Sequence, residues 1–413
     1  MTEASKLFLF LQGLPGGSFW RLGLALRAKG HAVLRVNFNG GDQVDWREPA
    51  INYRGAAKDW PATLAKIIKT NAITDMVLFG DCRPLHLMAS DTAEQFGVTV
   101  WVFEEGYVRP DWVTLELGGV NGHSPMPRNP DWYRQASRNL PPLEAGPALE
   151  QTFGRRSRET FRYYAASILL RLGYRHYRTH RPWGALTEGF GWINRWRRRE
   201  SSQRRSTAEL KRIAGRPYFL FALQLDSDYQ IRIHSPFRGM GPVLDLVIGS
   251  FAENAPEDCC LVIKEHPLDN GLKDWRAAVA RSAAVHGVSD RIAYCDVGDI
   301  NAMVGGSAGL ITVNSTTGTL GLAAGVPVVA LGRAVYDMAG LTHQAGLHTF
   351  WTEPQSPDPA LYDAFRRVLV HRCLVRGGFY SEDGLSLLIE GAVSRMVGEH
   401  SRSTARTMAV AAE

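Results

Sequence analysis

The sequence predicts an α/β protein of two doubly wound, Rossmann-like domains. Three observations carry this. Short apolar runs alternate with helical stretches in both halves of the chain, the pattern of βαβ units on a parallel sheet. The strands end on polar turns, several of them bearing glycine, where open α/β sheets bind ligands. At 413 residues and 45% hydrophobic content, the chain has length for two or three domains and apolar residues for two cores.

In the first half, Leu7-Phe8-Leu9-Phe10-Leu11 reads as a strand ending at Gln12-Gly13-Leu14-Pro15-Gly16-Gly17-Ser18. A helix is expected over 19–29, stopped by Gly30. The next strand, 32–38, ends at Asn39-Gly40-Gly41-Asp42. Residues 61–69 read as a helix. Residues 75–79 read as a strand, followed by Gly80-Asp81-Cys82-Arg83-Pro84 and another helix. Residues 98–103 form a strand that opens onto Glu104-Glu105-Gly106-Tyr107.

Residues 124–147, rich in proline and asparagine, read as irregular. Order resumes at Pro217, with strands over 218–222, 260–264, 291–294, 309–313 and 326–330. Helices over 243–251, 274–286, 300–305 and 316–324 lie between them, a second doubly wound sheet. Helices over 360–371 and 386–397 are expected to pack back on the first domain. The small, polar tail from Ser401 is expected to be disordered. The expected divisions are 1–125, 126–214, 215–345, 346–400 and 401–413.

Five cysteines without framework spacing read as reduced thiols, and no Cys-x-x-Cys suggests zinc. The N-terminus does not read as a signal peptide. No stretch approaches the ~18 apolar residues of a membrane span. Between Arg155 and Arg212, 16 Lys or Arg face 4 Asp or Glu, whereas the whole chain carries +6. The same stretch holds Phe161, Tyr163, Tyr174, Tyr177, Phe190, Trp192 and Trp196. A basic, aromatic-rich helical segment suits an anionic membrane surface. It equally describes a solvated helical insert with some aromatics in the core, and less well a nucleic-acid site.

Five strand ends are candidates for chemistry, each with a plain structural reading beside it. Gln12 to Ser18 is a loop that can cradle phosphate, or a tight turn; it is neither Gly-x-Gly-x-x-Gly nor Walker A. Glu104 and Glu105 offer a general acid or base, or a solvated pair joined to Arg109. Gln224 to Asp228 brings a carboxylate to a strand end, or an Asx turn. Lys264-Glu265-His266-Pro267 offers an imidazole donor to a phosphate oxygen, or a structural histidine. Asn314-Ser315-Thr316 offers an anion site, a helix cap, or both.

Together these segments resemble a known family. Phe10-Leu11-Gln12-Gly13, Asn37-Phe38-Asn39-Gly40-Gly41-Asp42, Phe79-Gly80-Asp81-Cys82-Arg83-Pro84 and Glu104-Glu105-Gly106-Tyr107-Val108-Arg109-Pro110 carry the resemblance in the first half. Gly119-Val120-Asn121-Gly122, Asp228-Tyr229-Gln230-Ile231, Lys264-Glu265-His266-Pro267, Val313-Asn314-Ser315-Thr316 and Gly340-Leu341-Thr342 continue it. The chain resembles the KpsS-type (LipB-type) capsule polysaccharide biosynthesis proteins, Kdo transferases of the capsule-synthesis family.

The resemblance implies a GT-B architecture, with the active site in the interdomain cleft. It implies CMP-Kdo as donor, a retaining outcome and a lysophosphatidylglycerol acceptor at the inner face of the cytoplasmic membrane. A KpsC-type transferase and the capsule export machinery are the implied partners, and nucleic acid is not. KpsC-like proteins carry a Gln-x-x-x-Asp motif, which Gln224 to Asp228 matches, so Asp228 is the expected nucleophile. Glu105, where KpsC-like proteins have Asp, is the expected acid or base. Gln224, Lys264, His266, Pro267, Asn314, Ser315 and Thr316 are expected on the donor, much as His-Pro and Ser-Ser/Thr motifs serve bacterial sialyltransferases. Gln12, Ser18, Asp81, Arg83, Glu104 and Arg109 are expected on the acceptor. No metal or other cofactor is expected; Asp226-Ser227-Asp228 has the letters of a metal box but is read as the nucleophile loop. The alternatives are transfer of another CMP-nonulosonate and a non-catalytic role in capsule assembly or export.

Overall fold

The computed structural model describes residues 5–108, 111–143, 146–149, 152–179 and 183–398. Arg109 and the tail from Ser401 lie outside the described residues. The chain divides into two compact units. The first comprises Met1–Pro127, Leu140–His180 and Arg367–Glu413, the second Arg128–Asn139 and Arg181–Arg366.

The first unit is built on strands β1 (Leu7–Phe10), β2 (Ala32–Asn37), β3 (Ile51–Asn52), β4 (Asp75–Phe79), β5 (Thr99–Glu105), β6 (Trp112–Leu117) and β12 (Leu374–Arg376). Their order is β12-β6-β5-β4-β1-β2-β3. β1 to β5 are parallel, as expected for β1, β2, β4 and β5; the short β3 was not expected. β6 and β12 are not: each pairs antiparallel with its neighbour. This pairing lengthens β5 beyond the expected end at Phe103, because Glu104 and Glu105 sit opposite Thr114 and Val113.

Alternation along β1 explains why the sheet is covered twice. Phe8 and Phe10 enter one core with Trp101 and Phe103. Leu9 and Leu11 enter the other with Leu64 and Ile68. Successive strand residues face opposite sides, and each fully buried side chain of this size contributes roughly 1.5–3 kcal/mol. Helices α1 (Ser18–Ala28), α2 (Gly40–Asp45), α3 (Trp60–Asn71), α4 (Pro84–Gln95), α6 (Phe153–Leu169) and α15 (Glu382–Val397) belong to this unit. α15 packs on α1, with Glu382 bonded to Arg21 and, at 2.9 Å, to Arg155, whereas α14 (Pro359–Arg372), also expected on the first domain, lies mostly in the second unit.

The second unit carries β7 (Tyr218–Ala222), β8 (Cys260–Lys264), β9 (Ile292–Cys295), β10 (Gly309–Thr312) and β11 (Val328–Ala330), all parallel, in the order β11-β10-β7-β8-β9. Its helices are α5 (Pro130–Ala136), α7 (Ala185–Arg212), α8 (Tyr229–His234), α9 (Met240–Asn254), α10 (Trp275–Val285), α11 (Ile300–Gly305), α12 (Thr317–Ala323), α13 (Leu347–Phe350) and most of α14 (Pro359–Arg372). Both sheets reverse their strand order beside the first strand, at β1/β4 and at β7/β10. These are the topological switch points at which such sheets bind ligands.

The expected connecting region 126–214 is divided between the two units. α6 packs in the first, and α7 in the second, where Arg212 reaches the Ile292 carbonyl at 2.5 Å. α5 lies inside the stretch read as irregular. Asn129 caps it by accepting from Asp131 N at 2.9 Å, and Pro130 opens it, a start signal present in the sequence. The division expected at 345 falls inside a packed region, since Phe350 and Trp351 complete the core of the second unit. The five cysteines are free, and all of them are buried. Among the described residues no helix is long and apolar enough to cross a membrane.

Candidate functional site

At the second switch point, Gln224 follows β7 and Asn314 follows β10. Gln224 Nε2 donates to Asn314 Oδ1 at 2.9 Å, and Asn314 N–H donates to Gln224 Oε1 at 3.0 Å. Asn314 Nδ2 then donates to the Gln230 carbonyl at 2.9 Å, which ties α8 to the same edge. Asp228 caps α8, its Oδ1 accepting from Gln230 N–H at 2.9 Å. An aspartate side chain at this position satisfies one of the backbone N–H groups that the first turn leaves without a partner.

The two acids of Asp226-Ser227-Asp228 serve different helices. Asp226 accepts from Met240 N–H at the start of α9 at 2.8 Å and pairs with Lys273 at 3.1 Å. At the end of β8, His266 Nδ1 accepts from Leu268 N–H at 3.1 Å. That bond places the ring proton on Nε2, so the imidazole is a donor there. Pro267 is exposed beside it.

Lys264 does not join this group. Its ammonium is buried and donates to the carbonyls of Glu265, at 2.7 Å, and Asp296, at 3.4 Å. Burial pushes its pKa down. Glu265 is held by Arg195 and Tyr294, and burial beside this carboxylate pushes the Tyr294 hydroxyl far up. At the end of β10, Ser315 Oγ accepts from Thr317 N–H at 3.1 Å, a cap of α12, while Tyr336 donates to the Ser315 carbonyl at 2.6 Å. Thr316 precedes the helix without a side-chain cap.

In the first unit, Gln12 is buried at the end of β1. Its Nε2 donates to Tyr163 Oη at 2.8 Å and Tyr177 Oη at 3.1 Å. Tyr163 in turn donates to Asp42 at 3.0 Å, and Asp42 pairs with buried Arg35 at 3.4 Å. Burial pushes the Arg35 pKa down against the pull of Asp42. Arg83 links the ends of β4 and β1, donating to Gln12 Oε1 at 3.1 Å and the Gly13 carbonyl at 3.2 Å.

The glycine-rich loop is tied to carboxylates of its own unit. Gly16 N–H donates to Asp45 at 2.6 Å, and a Cβ at Gly16 would meet Glu159 at 2.1 Å. Asp45 is pushed up by burial. Ser18 is the buried first residue of α1. Two acids beside this loop oppose the phosphate-cradle reading and favour the tight turn.

Glu104 and Glu105 are consecutive strand residues and so face opposite sides. Glu105 pairs with Arg156 at 3.0 Å, a partner not foreseen in the sequence. Glu104 approaches Gly80, its Oε2 lying 3.4 Å from where a Cβ would stand. Asp81 is buried and accepts from His123 Nδ1 at 2.9 Å, Val120 N–H at 3.1 Å and the Cys82 thiol at 3.2 Å. Burial raises its pKa, but these donors outweigh it and hold the carboxyl below its usual range.

The aromatic segment is sorted by the structure. Tyr163 and Tyr174 are buried polar anchors, Tyr174 donating to Asn52 Oδ1 at 2.8 Å. Leu169, Phe190 and Trp196 are exposed at 81%, 73% and 66%. His123, Asp42 and Arg156 were missed as site residues. The Asn39-Gly40-Gly41-Asp42 motif held the one local signal: a Cβ at Gly40 would meet the Ala166 carbonyl at 2.3 Å, and one at Gly41 the Tyr163 ring at 2.5 Å.

Residues 74–380 match the family described as capsule polysaccharide biosynthesis protein. The chain is 33% identical over 383 residues to the capsule polysaccharide export protein KpsS of Escherichia coli, covering 91% of this chain and 97% of that protein. It is 33% identical over 391 residues to the capsule polysaccharide modification protein LipB of Neisseria meningitidis, covering 92% and 93%. Among solved structures it is similar to Thermosulfurimonas dismutans KpsC, a beta Kdo 2,7 transferase, with a TM-score of 0.46 and 14% identity over 94% of this chain and 99% of that one. With a match over most of its length and two relatives at one-third identity, the chain belongs to the capsule polysaccharide biosynthesis family.

Proposed function

We propose that this capsule-family protein is a retaining glycosyltransferase that moves Kdo from CMP-Kdo to lysophosphatidylglycerol, starting the oligo-Kdo linker of a capsular polysaccharide. One observation carries the reading. The carboxyl edge of the second sheet carries an N-capping carboxylate and a locked amide pair at its switch point, and an imidazole donor at the end of neighbouring β8.

In this reading an Asp228 oxygen attacks the anomeric carbon of the sugar. The bond from that carbon to the phosphate oxygen breaks, and CMP leaves with the electron pair. The acceptor hydroxyl then passes its proton to a protein base, its oxygen attacks the same carbon, and the bond to Asp228 breaks to restore the carboxylate. Two inversions retain the configuration. His266 Nε2–H and the hydroxyls of Ser315 and Thr316 supply donors to the phosphate. Gln224 and Asn314 hold the edge rigid around it. The reading uses no metal.

Gln12, Asp81, Arg83, Glu104 and Glu105 are assigned to the acceptor side. The exposed apolar residues of α6 and α7, set among arginines, are assigned to the inner face of the cytoplasmic membrane, where a KpsC-type transferase and the export machinery would act next. The export name of the Escherichia coli relative favours a second reading, a non-catalytic component of export.

The test supplies purified protein with CMP-Kdo, regenerated in situ, and a fluorescent lysophosphatidylglycerol. A single-Kdo lipid from the wild type and none from Asp228→Asn is the expected outcome. Product from both proteins would remove Asp228 as nucleophile. No product with a working donor supply would favour another CMP sugar or the non-catalytic reading.

A further inference from the structure

Asp81 and His123 form a built dyad. The carboxylate is 3% exposed and the imidazole 39%. Asp81 lies just past β4, at the switch point of the first sheet, and accepts three donors. An ionised carboxylate only accepts, so the His123 proton facing it sits on Nδ1, and proton exchange with a ligand runs through Nε2.

The loop that carries His123 is shaped for this arrangement. A Cβ at Gly119 would meet His123 Cβ at 2.5 Å and Asp81 Oδ2 at 3.1 Å, so a side chain there would break the dyad. Asn121 adopts a left-handed φ of 55°, a conformation asparagine tolerates, and Tyr107 Oη accepts its N–H at 2.6 Å. Ser124 is held by Glu116 at 2.5 Å. An imidazole fixed on a buried carboxylate, its ring partly open to solvent, has the geometry of an oriented proton acceptor. Glu105 is held in an ion pair with Arg156.

We propose that His123 is the base that deprotonates the acceptor hydroxyl, and that Asp81 is its positioning residue. This rests on the transferase reading above. The acceptor O–H proton passes to His123 Nε2. The oxygen forms its bond to the anomeric carbon with the released electron pair, and that carbon's bond to its leaving group breaks, the leaving group keeping that pair. The imidazolium, held in place by Asp81, returns the proton to water.

The experiment compares wild type, His123→Asn and His123→Ala in the lipid transfer assay, with thermal melting and CMP binding measured on each. Asparagine keeps an N–H donor to Asp81 but offers no basic nitrogen. Both variants are expected to melt near the wild type and bind CMP equally, and to lose ~10²–10⁴-fold in kcat with little change in acceptor KM. Added imidazole is expected to restore part of the rate to His123→Ala only. Nitrogen-15 spectra of labelled wild type are expected to show His123 protonated at Nδ1, and Asp81→Asn to lose that preference. An active wild type beside a His123→Asn variant within about threefold of it would overturn the assignment alone. So would an Nδ1 without a proton. A wild type that makes no sugar-lipid product would overturn the transferase reading and this assignment together.

Discussion

Gln224 and Asn314 exchange two hydrogen bonds, at 2.9 and 3.0 Å, across the ends of β7 and β10. Ninety positions apart in the chain, they lock the switch point of the second sheet and bring the Gln230 carbonyl, and with it the α8 turn, into the same network. Replacing Gln224 by Met keeps the volume but leaves the buried Asn314 N–H without its acceptor. The expected loss is about 1–3 kcal/mol, read as a lower urea midpoint with unchanged slope. A midpoint within error of the wild type would show that the pair is not structural.

Asp228 separates its two roles by substitution. Asparagine caps helices as well as aspartate does, so Asp228→Asn is expected to leave stability within about 0.5 kcal/mol, while Asp228→Ala loses about 1 kcal/mol. Both are expected to abolish transfer. Calorimetry beside the product assay checks this. Loss of folding in Asp228→Asn would mean that inactivity says nothing about a nucleophile.

Gly40 and Gly41 are the seat of α6. Since a Cβ at Gly41 would lie 2.5 Å from the Tyr163 ring, and Tyr163 is itself bonded to Asp42 and Asn39, the ring has little room to retreat. Gly41→Ala is expected to destabilise by about 1–3 kcal/mol and to open α6 to limited proteolysis. Unchanged melting and cleavage would refute the packing argument.

Glu116 makes stability depend on pH. Burial pushes its pKa up to about 7, against the pull of the Ser124 and Tyr107 hydroxyls. Between the ordinary carboxyl value and this one, the folded state holds a proton that the unfolded state has lost. Stability from this group therefore falls as pH rises through that window, by up to about 3 kcal/mol. Glu116→Gln is expected to flatten the slope between pH 5 and pH 8 in urea titrations. A difference from wild type that does not change with pH would sink the idea.

Phe190 and Trp196 are exposed on α7, and so are Arg197, Arg198 and Arg199, which are spread around the helix. Co-sedimentation with anionic vesicles is expected to fall with salt. It is also expected to weaken when the three arginines become glutamate, at about 1 kcal/mol per charge. Equal binding to neutral vesicles would argue against an electrostatic contribution.

Much of the fold was legible in local pattern. The alternation of Phe8 and Phe10 with Leu9 and Leu11 reports two buried faces, because side chains in a strand point alternately to each side. Polar residues after β1, β4, β7, β8 and β10 mark where the strands end, since the strands of a parallel sheet are buried on both faces. The antiparallel strands β6 and β12 were not legible, because β12 comes from residues 374–376 and pairs with 112–114. Hydropathy says that a strand is buried, not which strand lies beside it.

The sequence by itself determined the two α/β units, the polar strand ends and the basic, aromatic character of 155–212. Only the tertiary structure decided what each polar group meets. Glu105 has the spacing of an active-site acid, yet Arg156 holds it. Lys264 has the place of a phosphate ligand, yet its ammonium is buried on carbonyls. Asp81 meets His123, and Tyr163 leaves the aromatic run to bond Asp42. Apart from the contact of Lys264 with the neighbouring Glu265 carbonyl, these pairings join residues far apart in the chain, and their strength depends on distance and burial, which exist only once the chain has folded.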